Sequence, residues 1–160
     1  MTQQSDIRGA QWLFKHEWGF DTMPPAEDFA AYHKSLMICA KGDGVLAPEE
    51  REWVIGYTVA MGADPALVDE LSTYQADDDI VQTISTARVA DAARGACVFD
   101  AIRACAADGD LAPAELDRIR TMAGELGVGD LVDRLYDLYR QEERIRAERN
   151  KLLYPAGAPL

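Results

Sequence analysis

The stretch "CAKGDGVLAPEE", residues 39–50, returns in looser form as "CAADGDLAPAE" at residues 105–115. Aligned at a constant offset of 65, Asp43, Gly44, Leu46, Ala47, Pro48, Glu50 and Val54 fall on Asp108, Gly109, Leu111, Ala112, Pro113, Glu115 and Ile119. The match continues through Met61 and Gly62 onto Leu126 and Gly127. Each copy reads as helix, tight Asp-Gly turn, proline-started helix, short loop, helix. Glycine supplies the left-handed residue that ends the first helix, and proline is tolerated in the first turn of the next. Neither copy can bury its apolar face alone, so the two are expected to pack on each other as pseudo-twofold halves.

Outward from the repeat, helical periodicity dominates and strand signals are nearly absent. Phe29, Tyr32, Leu36 and Cys39 share one face of a predicted helix over 25–41, and Trp53, Val54, Tyr57, Ala60 and Met61 share one over 48–62. Further helices are predicted over 65–74, after the acidic run Asp77–Asp79, over 89–107, over 113–126 and over about 130–152. The Ala-rich 89–107 segment reads as one central helix, with Cys97 and Cys105 as small core residues. The expected fold is all-α: a single-domain bundle of about seven to eight helices built from two pseudo-twofold repeats. Residues 1–24 form an aromatic segment packed on the bundle, 25–139 the duplicated domain, and 140–160 a charged helix end and tail.

Composition narrows the function. The 160-residue chain is 48% hydrophobic and carries a net charge of −12. That charge is uneven: residues 1–139 hold 11 basic against 25 acidic groups, whereas 140–160 hold 5 against 3. Such an acidic body repels phosphate backbones, so no nucleic-acid partner is expected. No apolar run spans a membrane, no signal peptide stands at the N-terminus, and three unpaired cysteines fit a cytoplasmic protein.

The duplicated acids admit two readings. As turn chemistry, Glu50 and Glu115 reach back to free backbone donors, and Asp43 and Asp108 serve the helix starts that Ala47 and Ala112 cap poorly. As chemistry of a site, all four converge on a divalent cation such as Ca, Mg or Mn, or on a basic partner. An EF-hand is excluded, because its first and third loop positions fall on Cys39 and Lys41 or on Ala104 and Ala106. Two carboxylates about 6 Å apart at an effective dielectric of 20 repel by roughly 3 kcal/mol, so a convergent quartet demands a cation, a basic partner or a nearby arginine.

Helical units carrying Asp-Gly-x-hydrophobic-x-Pro-x-Glu, duplicated around an Ala-rich helix, resemble the TerB-like tellurite-resistance proteins over roughly residues 30–139. The resemblance implies an all-α fold with acidic motifs from both halves near one cleft, a role in tellurite or metal stress, metal binding or scaffolding, and no established catalysis. Carried over, the metal candidates are Asp43, Glu50, Asp108 and Glu115. Glu49 and Asp110 are weaker, since Ala114 and Val45 stand at the matching positions.

No P-loop, dinucleotide fingerprint, nucleophile elbow or His-based metal motif is present. The leading expectation is a non-enzymatic protein binding a divalent cation or basic partner in an acidic cleft. The alternative is a small-molecule enzyme or carrier whose pocket uses Trp12, Phe14, Trp18 and Phe20 with His16 and His33. Self-association through the Arg-rich final helix is a third expectation.

Overall fold

The computed structural model describes residues 3–42, 44–109 and 111–159, and all its secondary structure there is helical. In chain order these are α1 (Gln3–Trp18), α2 (Ala26–Lys41), α3 (Pro48–Ala60), α4 (Pro65–Thr73), α5 (Ile80–Ile84), α6 (Arg88–Ala92), α7 (Arg94–Cys105), α8 (Pro113–Glu125) and α9 (Val132–Leu153). A 3-10 turn at Gly129–Leu131 leads into α9. The all-α, single-domain expectation holds. The helix count among the described residues is nine rather than seven to eight, because the segment predicted as one helix over 89–107 is two.

The break falls at Ala93, whose backbone leaves the helical region (φ −101°, ψ 21°). Both sides of it are tied elsewhere. The Asp28 carboxylate of α2 accepts the N–H groups of Val89 and Ala90 at 2.7 and 2.9 Å, holding the start of α6. Arg94, just past the break, donates to the Leu126 carbonyl at the end of α8 and to Asp91. A cation at a helix C-terminus is favourable, and Arg51 repeats the device by donating to the carbonyls of Leu71 and Tyr74 at the end of α4.

At the centre, α2 packs on α7, and small side chains are buried on both: Ala31, Ser35 and Cys39 on one, Cys97, Ala101 and Ala104 on the other. Ser35 satisfies its hydroxyl on the Ala31 carbonyl within its own helix. The Cys105 thiol lies 3.5 Å from the carbonyl of Ala40, its counterpart at the offset of 65. The element bounds repeat at that offset too, α3 over 48–60 and α8 over 113–125. Both helices end alike: Ala63 N–H reaches back to the Thr58 carbonyl across Gly62, and Val128 N–H to Ala123 across Gly127. Each glycine is left-handed (φ 79° and 74°), as this closure requires.

One of the two Asp-Gly corners departs from expectation. In the first copy the left-handed residue is Gly42 (φ 55°), two positions before Gly44; in the second it is Gly109 (φ 144°). Gly42 is also pressed by α8, since a Cβ added there would lie 2.8 Å from Cβ of Arg118. At Gly44 an added Cβ meets only the movable end of that arginine, at 3.2 Å. Gly42→Ala is therefore expected to destabilise the fold by about 2 kcal/mol or more, and Gly44→Ala by clearly less. Paired urea titrations check this, and equal losses would refute it.

Candidate functional site

The sequence-predicted acids are only partly brought together. Asp43 lies outside the described residues, as does Asp110; Asp108 and Glu49 are exposed. Glu50 and Glu115, at matching positions in the first turns of α3 and α8, each accept a 2.7 Å bond from a backbone N–H, that of Ala47 and Ala112 respectively. Alanine has no side-chain acceptor, so each glutamate does the capping alone.

Glu50 is only 3% exposed. Burial raises its pKa, and the charge of Glu115 adds to that rise, while the Ala47 amide, Cys105 and Arg118 pull it down. Arg118, lying against Gly42 and Gly44, is thus a counter-charge supplied by the chain itself. Its Nε is buried and meets no partner among the described residues. Among those residues no group of three or more His, Cys, Asp or Glu side chains is placed to hold a metal ion.

A second site is better defined. A cavity of about 390 Å³ lies between α1, α2, α3, α6 and α7. Phe14 and Trp18, one helical turn apart on α1, close one side. Phe29, Tyr32, His33 and Asp28 reach it from adjoining faces of α2, and Tyr57 comes from α3. Phe99 and Asp100 come from α7. His16 does not join them. It stacks on Trp12 with ring centroids 4.7 Å apart, on the exposed face of α1. Two residues along a helix turn a side chain by about 200°, so the pair Trp12 and His16 points away whenever Phe14 and Trp18 point in.

The polar floor of the cavity is unusual for so apolar a place. Asp100 is buried and accepts the Tyr32 hydroxyl at 2.7 Å and Arg103 Nη1 at 3.2 Å. Burial still pushes its carboxyl above the usual range, against the pull of Tyr32 and Arg103. Arg103 in turn lies over the rings of Trp53 and Tyr57, 5.1 and 5.4 Å from their centroids. His33 is fully buried, with Nδ1 2.8 Å from the Phe29 carbonyl. Its Nε2 meets no hydrogen-bond partner among the described residues; the Tyr57 hydroxyl makes no bond of good geometry there, yet lies near enough to Asp100 to help pull that carboxyl down. A buried polar atom left unpaired costs about 1–3 kcal/mol, and His33 and Tyr57 both line the cavity.

Of these residues only His33 and the N-terminal aromatics stand out in the sequence. Asp100 carried a readable signal: an acid in the middle of the otherwise apolar "CVFDAI" run, with Arg103 three residues on. Tyr57 and Arg103 had none, because their importance comes from helices distant in sequence.

Burial lowers the His33 pKa from 6.5 to about 4, with the Phe29 carbonyl opposing. Between those values the unfolded chain takes up a proton that the folded chain refuses, so stability falls as pH drops below 6.5. At pH 5 the loss is about 2 kcal/mol. The difference in unfolding free energy between wild type and His33→Gln should therefore change by about that amount between pH 7 and pH 5. A pH-independent difference would show that His33 is not held neutral.

No protein-family model matches the chain, and no curated protein matches it. Among solved structures, it is similar to a tellurite resistance protein from Nostoc punctiforme. The two are 35% identical over 100% of each chain, with a TM-score of 0.93. Likeness of that degree along the whole length, together with the duplicated Asp-Gly-x-Leu-Ala-Pro corners, shows that the chain belongs to the TerB-like tellurite-resistance family.

Proposed function

We propose that this protein serves in the response to tellurite or a related chemical stress as a binding protein, and that its ligand is a small, largely apolar molecule seated in the cavity between α1, α2, α3, α6 and α7. The carrying observation is a cavity walled largely by aromatic rings, those of Phe14, Trp18, Phe29, Tyr32, Tyr57 and Phe99, with the Asp28 carboxylate in its lining. The volume of about 390 Å³ lies in the range of sites for small organic molecules. Binding is favoured over catalysis: the described lining residues hold no Ser, Cys or Lys nucleophile. Three buried free thiols suit work in the cytoplasm.

A panel of neutral one- and two-ring aromatics tests the reading by thermal shift and Trp18 fluorescence. At least one is expected to bind in the micromolar range, and Ala96→Phe at the cavity mouth should weaken it tenfold or more without changing helix content. Binding indifferent to that substitution, or none across the panel, would remove the reading.

A second reading places a divalent cation, or a basic group of a partner, at the acidic corner of Asp43, Glu50, Asp108 and Glu115. It is favoured by the nearness of Glu50 and Glu115: burial raises the Glu50 pKa, and the charge of Glu115 adds to that rise. Titration calorimetry with Ca, Mg and Mn should then give heat that vanishes in Glu50→Gln and Glu115→Gln. Heat that persists in both variants, or none in the wild type, would leave these glutamates as helix caps alone.

A further inference from the structure

The polar side-chain atoms around the cavity are mostly hydrogen-bond acceptors. The Phe29 carbonyl can only accept, so the His33 ring proton sits on Nδ1 and Nε2, buried, is an acceptor. Asp28 spends one oxygen, Oδ1, on Val89 and Ala90, and its other oxygen meets no donor among the described residues. Asp100 takes one donor on each oxygen, Tyr32 and Arg103, although a carboxylate oxygen accepts twice. The Tyr57 hydroxyl can act either way. No lysine or arginine lines the cavity among the described residues.

Donors do exist there, but they are weak. The Trp18 indole is one, and the first N–H groups of α7 at Gly95 and Ala96 stand at the mouth. A helix N-terminus favours an anion by about 0.3–1 kcal/mol. Arg103 offsets the charge of Asp100, which leaves Asp28. A ligand anion about 6 Å from that carboxylate, at an effective dielectric of 20, is opposed by roughly 3 kcal/mol. The carboxylate wins.

On the strength of the binding reading above, we propose that the ligand is a hydrogen-bond donor, neutral or singly cationic: a small ring-bearing amine, N–H heterocycle or phenol. The same skeleton carrying a carboxylate or phosphate is rejected. The donor group is received by the free oxygen of Asp28, while the rings of Phe14, Phe29 and Phe99 hold the apolar body.

Three probes on one ring system test this with the full chain: 2-naphthylmethylamine, 2-naphthol and 2-naphthoic acid, each titrated by Trp18 fluorescence and calorimetry. The amine and the naphthol are expected to bind at least tenfold more tightly than the acid. Asp28→Asn keeps an oxygen for the α6 amides and turns the free position from acceptor to donor. It should shrink the amine-to-acid ratio by tenfold or more. The wild-type comparison stands whether or not that variant folds. An acid that binds as well as the amine would overturn the donor inference while leaving the cavity a ligand site. Failure of all three probes to bind would overturn the donor inference; failure of the neutral aromatic panel as well would take the ligand site with it.

Discussion

The close approach of α2 and α7 is the constraint on which the rest of the molecule depends. Small side chains let two helices pack closely, and both α2 and α7 bury several: Ala31, Ser35 and Cys39 on one, Cys97, Ala101 and Ala104 on the other. Their contact places the Cys105 thiol on the Ala40 carbonyl and brings the starts of α3 and α8 within electrostatic reach of each other. It also decides where the cavity lies. Tyr32 and His33 reach it from α2 and Phe99 and Asp100 from α7, while α1 lies across them through Phe14 and Trp18.

The two copies of the motif share their element bounds, and the residues of the cavity lie where their side chains differ. At the offset of 65, His33 corresponds to Val98, Ser35 to Asp100 and Tyr57 to Met122. Each polar group of the cavity therefore faces an apolar or smaller counterpart in the other half. The same is true of the corners: Arg118, which supplies positive charge beside Glu50, corresponds to Trp53, over which Arg103 lies. The buried acids follow a single rule, that a carboxylate inside a protein needs donors. Asp28 finds them on backbone amides and Asp100 on Tyr32 and Arg103.

The acidic corners show how one residue serves structure and leaves room for more. Glu50 and Glu115 replace the side-chain caps that Ala47 and Ala112 lack, a local task each performs within its own helix. Their proximity arises only from the packing of the halves. Among the described residues no helix is long and apolar enough to cross a membrane. In α9 only Val132 is buried, and the second half of the helix is exposed, with Ile145, Leu152 and Leu153 open to solvent.

By itself the sequence determined the local architecture: the helical period, the proline starts, the glycine stops at 62 and 127, the reach of Glu50 and Glu115 to their caps, and the duplication. These depend on neighbours within a few residues, and that information is written in order along the chain. It also carried the N-terminal aromatics and His33, though it paired His33 with His16, which helical phase turns outward. The tertiary structure alone decided that Gly42 rather than Gly44 takes the left-handed turn, because α8 presses there, and that α6 and α7 part at Ala93, because Asp28 and Arg94 hold them to different helices. It likewise decided that Tyr57, Asp100 and Arg103 meet beside His33. Those outcomes rest on contacts between segments far apart in the chain, whose distances exist only once the helices have packed.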